Sequence, residues 1–165
     1  METTTRKNAT GKSPIGLSSE YSTLLTERLN TLLSDYQVFY MNVRGFHWNI
    51  KGEKFFELHQ KFEELYDDLA EKIDELAERV VTLGGTPVHS FQDYLSLSEV
   101  KPVKNVSEGR EAVSHLLDSF SVMLEQQREL LALSDDANDE GTNSLMSDYI
   151  REQEKLVWMY SSFLG

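Results

Sequence analysis

Two pairs of potential metal ligands lie along one stretch of the sequence. His59 and Glu63 form the first pair, and Asp74 and Glu78 form the second. Because residues at i and i+4 lie one turn apart on one side of a helix, each pair could present its side chains together. The chain has four histidines and no cysteine, so any metal site must use nitrogen and oxygen ligands. Either pair taken alone could also be ordinary polar residues on the solvent-exposed side of a helix, with no metal bound.

The two pairs together indicate a site shared between two chains. At about 100° per residue, all four side chains fall within one arc beside the apolar stripe. His59 and Asp74 are fifteen residues apart, or roughly 22 Å along a helix, so one chain cannot close all four around one ion. Two such helices packed antiparallel about a two-fold axis would bring His59 of one chain to Asp74 of the other. His47 could complete the histidine side, and this ligand set with open positions suits Fe(II) better than a closed zinc site.

A metal centre inside one bundle is the main alternative chemistry. Such centres use two Glu-x-x-His motifs and two further glutamates, and no Glu-x-x-His occurs in this sequence. The nearest arrangement is Glu111 with His115, which are four residues apart and have no second copy. His89 and His115 are therefore predicted to be surface or packing residues.

The apolar residues that must position these ligands recur with the period of a helix. Steps of three and four residues predict helices from about residue 18 to 51, 54 to 83, 107 to 133 and 142 to 163. No segment shows the alternation of a strand, so the predicted fold class is all-α. The middle link has more than twenty residues and carries an apolar cluster within 91–97, which predicts a short helix. A four-helix bundle with one long crossover is the ferritin-like arrangement.

Length and composition indicate one globular domain. The chain has 165 residues, 39% of them hydrophobic and 27% charged, and no apolar run approaches the ~18 to 20 residues that span a bilayer. The N-terminus lacks the apolar segment of a secretory signal, which predicts a cytoplasmic location. The net charge of −12 argues against a surface that coats nucleic acid and favours attraction of cations. Trp158 lies on an apolar face of the last helix, and we expect it in the core.

Residues 1–16 differ in character from the predicted domain at 17–165. They are rich in Thr, Lys, Gly, Ser and Pro, and are predicted to form a flexible tail. The tail has a net charge of +2, against −14 for the remainder. Its charged residues are Glu2, Arg6, Lys7 and Lys12. A basic tail could bind DNA, but this one is weakly basic, and phosphate binding would fade with salt.

The region from Asn42 to Arg79 carries a dense group of motifs. It reads NVRGFHWNIKGEKFFELHQKFEELYDDLAEKIDELAER, and it resembles the signature region of Dps proteins, the mini-ferritins. The likeness covers the chain from about residue 20 to the C-terminal Phe163-Leu164-Gly165. The most specific part is the spacing His-x11-His-x14-Asp-x3-Glu. Its residues are His47, His59, Asp74 and Glu78.

The resemblance implies a hollow dodecamer with a ferroxidase site at each two-fold interface. His47 and His59 would come from one subunit, and Asp74 and Glu78 from its partner. Glu63 stands where many members carry an aspartate that contacts the second iron, so its longer side chain leaves its role open.

The resemblance also implies a reaction. Family members generally oxidise two Fe(II) per hydrogen peroxide, in preference to using oxygen, without releasing hydroxyl radical. The ferric product then mineralises in the cavity. Trp48 matches a tryptophan beside the site that is thought to intercept radicals.

The acids between the third and fourth long helices have two interpretations. They could solvate a loop and favour the positive start of the last helix, or they could line the three-fold pores through which the family draws Fe(II) inward. Ser144 stands where one pore acid of the family lies, so both interpretations stay open. The acids are Asp135, Asp136, Asp139 and Glu140.

Three hypotheses of function follow from these patterns. The leading one is a ferroxidase and iron store that protects DNA and the cell from oxidative damage. The alternative is a nucleoid-binding protein that protects DNA mainly by coating it through the tail. A purely structural helical oligomer is the third.

Overall fold

The computed structural model describes residues 11–165, which form five helices. Their bounds are α1 Ser19–Asn49, α2 Phe55–Thr82, α3 Phe91–Leu97, α4 Gly109–Asp136 and α5 Glu140–Leu164. Over these residues the only strand-like feature is an isolated bridge between Lys12 and Ser18. The all-α prediction is therefore confirmed, and none of the five helices is long and apolar enough to cross a membrane. Most of the predicted tail, residues 1–10, lies outside the described part of the chain.

The four long helices form a bundle in which neighbours in sequence run antiparallel. The end of α1 meets the start of α2 where His47 contacts His59. Residues 137–139 join α4 to α5, and the start of α5 meets the end of α2 where Asp139 contacts Arg79. Since α4 and α2 both run opposite to α5, they run parallel to each other, as a long crossover between them requires.

Local hydrogen bonds and one glycine set the helix ends. The Ser18 hydroxyl caps α1 by accepting a hydrogen bond from the backbone N–H of Tyr21 at 3.1 Å. Asp139 caps α5 in the same way, through the N–H of Thr142 at 3.1 Å. Gly84 follows α2 with a φ of 89°, a left-handed conformation that glycine adopts without strain. The helices therefore begin and end within a few residues of the predicted positions.

The centre of the bundle holds a closed ring of uncharged hydrogen-bonding side chains. The hydroxyl of Tyr36 donates to Gln127 Oε1 at 2.6 Å, and Gln127 Nε2 donates to Gln153 Oε1 at 2.9 Å. Gln153 Nε2 then donates back to the Tyr36 hydroxyl. All three side chains are buried, and the ring satisfies their polar groups. Apolar side chains such as Phe39 and Phe120, whose rings meet edge-on, surround it.

Two asparagines of α1 fasten the crossover, residues 83–108, to the bundle. Asn30 Oδ1 accepts a hydrogen bond from the N–H of Val88 at 2.9 Å. Asn42 Oδ1 accepts one from the N–H of Val103, also at 2.9 Å. The segments on either side of α3 are therefore held by side chains of a regular helix.

Asp35, also on α1, fastens the crossover between these two points. Its Oδ1 accepts hydrogen bonds from the Ser98 hydroxyl at 2.9 Å and from the N–H groups of Glu99 and Val100 at 2.6 and 3.0 Å. Its Oδ2 accepts one from Gln126 of α4 at 2.6 Å. The carboxylate is fully buried, and four donors replace the water that it loses.

The prediction that Trp158 lies in the core is wrong for the subunit. Its side chain is 65% exposed. The inward face of α5 is defined by buried residues such as Gln153 and Tyr160. Trp158 is two residues from Tyr160, or about 200° around the helix, so it points away from the bundle.

Candidate metal site at the first helix hairpin

His47 and His59 form a reciprocal pair where α1 meets α2. Nδ1 of His47 lies 2.7 Å from the carbonyl oxygen of His59, and Nδ1 of His59 lies 2.8 Å from that of His47. Because a carbonyl oxygen only accepts hydrogen bonds, Nδ1 carries the hydrogen on both rings. In the neutral imidazoles, Nε2 then keeps its lone pair. A hydrogen bond of this kind from the other ring nitrogen is what orients a metal-binding histidine.

The short link between α1 and α2 brings the two histidines together. Ile50 and Leu58 are buried on either side of the link, which fixes the register between the helices. Gly52 lies between them with a φ of 100°, and its carbonyl accepts a hydrogen bond from the N–H of Phe55 at 3.1 Å. The imidazole rings consequently stack, with centroids 3.7 Å apart and 17° between their planes.

Aromatic side chains surround the pair. Phe55 stacks on the His59 ring at 4.9 Å, and Tyr66 meets the His47 ring edge-on at 5.3 Å. Trp48 is 57% exposed beside them. The two imidazole rings are therefore packed against aromatic side chains, and the exposed Trp48 lies next to His47 in the sequence.

The carboxylates of the predicted site do not reach this histidine pair within one subunit. Asp74, Glu78 and Glu63 are all exposed side chains of α2. Among residues 11–165, no group of three or more His, Asp or Glu side chains is placed to hold a metal ion. One subunit thus supplies two histidines at one place and two carboxylates at another, and the sharing of a site between two subunits stays a prediction.

Comparison with known proteins identifies the family. Residues 26–165 match the ferritin-like domain family. The chain is 41% identical over 148 residues to the DNA protection during starvation protein of Porphyromonas gingivalis, an alignment that covers 90% of this chain and 93% of that one. This chain belongs to the Dps family of ferritin-like proteins.

Solved structures support the same assignment. The Dps protein of Vibrio cholerae O1, described as a member of a broad superfamily of ferritin-like diiron-carboxylate proteins, is 54% identical, with a TM-score of 0.94. That match covers 96% of this chain and 99% of the other. The Dps protein of Bacillus brevis is 33% identical, with a TM-score of 0.85 and coverage of 88% and 98%. The predicted ferritin-like bundle with a helix in its crossover is thereby confirmed.

Among the acids at the start of α5, Asp139 of this Dps-family chain has partners within the subunit. Its side chain is 2% exposed, and its Oδ1 accepts a hydrogen bond from Arg79 at 2.6 Å. Its Oδ2 accepts one from the Tyr21 hydroxyl at 3.2 Å. Burial first, and the adjacent Asp139 charge second, raise the pKa of the Tyr21 phenol. The sequence interpretation missed Arg79, because nothing in the pattern joins residues sixty positions apart.

The other three acids of that region are exposed. Asp135 and Asp136 lie in the last turn of α4, and Glu140 begins α5. Their lining of a pore in this Dps-family chain stays a prediction, together with the position of Ser144.

The remaining two histidines lie apart from the pair. His89 is exposed, with its Nδ1 2.9 Å from the carbonyl of Pro87. His115 Nε2 lies 4.0 Å from a Glu111 carboxylate oxygen, and its ring stacks on Phe46. Neither joins a group of three metal-ligand side chains in the described structure.

Proposed function

We propose that this Dps-family chain oxidises Fe(II) at sites formed by two subunits and stores the ferric product in a cytoplasmic shell of twelve copies. The observation that carries the proposal is the His47–His59 pair, whose Nδ1 atoms are both engaged and whose Nε2 atoms are both left to bind a metal. Iron is the substrate and the stored product. Hydrogen peroxide is the preferred oxidant and oxygen the alternative.

A second copy would supply the carboxylates. Asp74 and Glu78 are exposed one turn apart on α2, and an antiparallel α2 of another subunit would bring them to His59 when the two-fold axis passes near residues 66 and 67. Ala70 lies on the same arc, and its small side chain allows close approach of the second helix.

Exposed apolar side chains, some beside the histidine pair and some on α3, support contacts between subunits. Phe56 is 82% exposed and Trp48 is 57% exposed. Two side chains of α3, Phe91 and Leu95, are 79% and 59% exposed. Burying such groups against a second subunit would remove apolar surface that is unfavourable in water.

The chemistry assigned to these residues is binding and charge stabilisation. Neutral imidazoles bind Fe(II) without changing its charge, whereas carboxylates such as Asp74 and Glu78 favour the more highly charged Fe(III). Glu63 would stand close to His59 as a further oxygen ligand. Two Fe(II), one hydrogen peroxide and two protons give two Fe(III) and two waters. Using both electrons in one event avoids the release of hydroxyl radical, which would protect DNA nearby.

The net charge of −12 supports delivery of cations to the sites. Asp135, Asp136 and Glu140 are the exposed candidates for lining an entry pore. Asp139, which is buried against Arg79, would support that pore by holding the start of α5 in place.

Anaerobic Fe(II) titration followed by a measured addition of hydrogen peroxide tests the proposal. The protein should oxidise two Fe(II) per peroxide at the sites and then take up further iron as mineral. His47→Ala with His59→Ala should assemble normally but oxidise Fe(II) much more slowly. A matched control is His89→Ala with His115→Ala, which should behave as the parent protein. An unimpaired His47/His59 variant would exclude the site.

Binding of DNA through the tail, residues 1–16, is the alternative function that the sequence suggests. Its basic residues Arg6 and Lys7 lie outside the described residues, and the rest of the chain is acidic. A gel shift at physiological salt, with and without the tail, measures it. Absence of a shift in both proteins would exclude the DNA-coating hypothesis.

A further inference from the structure

Arg44 of α1 is a cation that has no acidic partner in its own subunit. None of the nine ion pairs within residues 11–165 includes it. Its Nε atom is buried and has no hydrogen-bond partner there. Its Nη1 atom donates to the Tyr40 hydroxyl at 3.4 Å, which is long for a hydrogen bond. Because an unpaired buried donor is unfavourable, we expect a further partner for this side chain in the assembled protein.

Three aromatic rings fix the position of the Arg44 charge. Its guanidinium carbon lies 4.7 Å from the Trp48 ring centroid, 5.4 Å from that of Tyr40 and 5.7 Å from that of Tyr66. Rings of this kind attract a cation placed over their faces. Tyr66 belongs to α2, so the charge of a residue on α1 lies against the side of α2 that carries Tyr66. Arg44 is only half-buried, so a second molecule can reach it.

That side of α2 is the one assigned to the second subunit, and it is acidic. With His59 placed at 0° and about 100° for each residue, Tyr66 falls near −20° and four acids fall between about 40° and 100°. The acids are Glu63, Asp67, Asp74 and Glu78, and all are exposed. The three basic residues of α2 fall between about 200° and 220°, on another side of the helix. They are Lys61, Lys72 and Arg79. An antiparallel second copy would therefore set acids against acids.

Asp67 lies where iron would not neutralise it. When the two-fold axis passes near residues 66 and 67, Asp67 faces the partner subunit's Tyr66 and lies close to the partner subunit's Asp67. His59 and Asp74, which would bind iron, are each about seven to eight residues from that axis, or roughly 11 Å along the helix. Coulomb attraction falls with distance, so bound iron leaves the two Asp67 charges largely uncompensated. The protein itself must supply the cation.

We propose that Arg44 of each subunit forms an ion pair with the partner subunit's Asp67, giving two such pairs at each two-fold interface. Tyr66 is the neighbour that both groups share, since Arg44 lies over its ring and the partner subunit's Asp67 faces it across the axis. The flat guanidinium can give two parallel hydrogen bonds to one carboxylate. The pairs give Nε of Arg44 an acceptor and let two acidic surfaces meet before iron arrives. This inference rests on the proposed function, because it uses the same two-fold arrangement.

Glu63 of the same subunit is the competing partner for Arg44. It precedes Tyr66 by three residues, so it lies about one turn away on the same side of α2. Glu63 is also the proposed further ligand of iron, and a pair with Arg44 would occupy its carboxylate. The experiment therefore has to distinguish Asp67 from Glu63.

Charge reversal followed by charge exchange tests the ion pair in the whole, iron-free protein. Arg44→Glu and Asp67→Arg are each made alone and then combined, and light scattering measures the protein concentration at which half of the subunits stay assembled. Each single variant sets like charges against each other, so this concentration should rise by about tenfold or more at low salt. The double variant restores opposite charges in exchanged positions, and it should assemble as the parent protein does.

Two matched controls separate this pair from a general effect of charge. Arg44→Glu combined with Glu63→Arg should stay as poorly assembled as Arg44→Glu alone. Glu57→Arg reverses an acid that falls at about 160° on α2, away from the interface, and should leave assembly unchanged. Circular dichroism checks that each variant folds, so a loss of assembly with the parent helix content reports on the interface.

The outcomes distinguish the ion pair from the proposed function. Assembly of both single variants as in the parent, a double variant that assembles no better than the single ones, or rescue by Glu63→Arg would each overturn the ion pair. The double variant should oxidise Fe(II) at the parent rate, because neither Arg44 nor Asp67 is a proposed ligand of iron. If charge exchange restores assembly but the parent protein oxidises no Fe(II), the ion pair stands and the proposed function fails.

Discussion

His47 and His59 hold each other in place through backbone atoms: the ring of each donates from Nδ1 to the main-chain carbonyl of the other. Because the acceptors are backbone oxygens, replacing one side chain leaves the hydrogen bond of the other intact. The tautomer of each imidazole is therefore set by the packing of α1 on α2. Any site built on these rings depends on the helix hairpin first.

Mixing two inactive variants should restore activity if each site takes ligands from two subunits. One variant carries His47→Ala and His59→Ala, and the other carries Asp74→Asn and Glu78→Gln. In a mixed dimer, the carboxylates of the first and the histidines of the second complete one of the two sites, so random co-assembly should recover about a quarter of the parent sites. The rate of Fe(II) oxidation after co-refolding measures this.

The same mixture has an internal control. Each variant refolded alone should stay inactive. If co-refolded particles contain both variants by mass spectrometry and still show no oxidation, the ligands are not shared between subunits.

Removing Asp139 should destabilise the protein, because it leaves Arg79 without its partner and α5 without its cap. The Asp139 side chain is 2% exposed and that of Arg79 is 16% exposed, and breaking such a pair costs on the order of 3 kcal/mol. Urea unfolding of Asp139→Ala measures the loss. Asp136→Ala, three residues earlier at an exposed position, should change the unfolding midpoint little; equal losses in both would refute a special role for the ion pair.

Asp35→Ala should be much less stable to urea than Asp35→Asn. Burial raises the pKa of Asp35, although its hydrogen bonds act in the opposite direction. Alanine leaves the buried N–H of Val100 without an acceptor, at about 1–3 kcal/mol, and it also removes the acceptor of the Glu99 N–H. The Ser98 hydroxyl keeps the Val100 carbonyl as an acceptor. Asparagine keeps one oxygen for these backbone N–H groups, and the Gln126 amide can turn to present its own oxygen to the new NH2 group.

Urea unfolding compares the two Asp35 variants, and size-exclusion chromatography with light scattering gives their oligomeric state. A loss in Asp35→Asn as large as in Asp35→Ala would show that the charge, and not the acceptor oxygen, holds the crossover.

Stability should fall at alkaline pH partly through Tyr160. Burial raises the pKa of Tyr160 to about 12, with a smaller effect from the charge of Glu64, whereas an unfolded tyrosine ionises at about 10. Its contribution to stability is complete below the unfolded pKa and is lost as the pH rises through the folded one. Tyr160→Phe should therefore show a shallower fall in the urea midpoint across that window than the parent. Parallel curves for the two proteins would refute this contribution.

The sequence predicts the helices well because their apolar spacing repeats over many turns. It predicts helix ends less well: α4 continues to Asp136, beyond the predicted Leu133, because its last turn carries exposed acids that the apolar pattern does not include. The apolar neighbours of Trp158 predict a core position for it, but only one side of α5 faces the bundle, and Trp158 lies on the other side.

The candidate site could be predicted only in part, because some of its contacts lie within one helix and others join different helices. Spacing along one helix relates His59 to Asp74 and Glu78, so their distance apart follows from helix geometry. The reciprocal bonds between His47 and His59 depend on how two helices meet, and the Asp139–Arg79 contact on how two hairpins pack. No local pattern encodes either arrangement.

The crossover is irregular, but it is held to α1 by hydrogen bonds to Asn30, Asp35 and Asn42. We therefore expect it to be less mobile than a free surface loop. The amide hydrogens of Val88, Val100 and Val103 are hydrogen-bonded to side chains of α1, so they can exchange with deuterium only when the crossover separates locally from α1. Their protection should thus resemble that of a helix interior, and α3 between them should move with α1 as one piece.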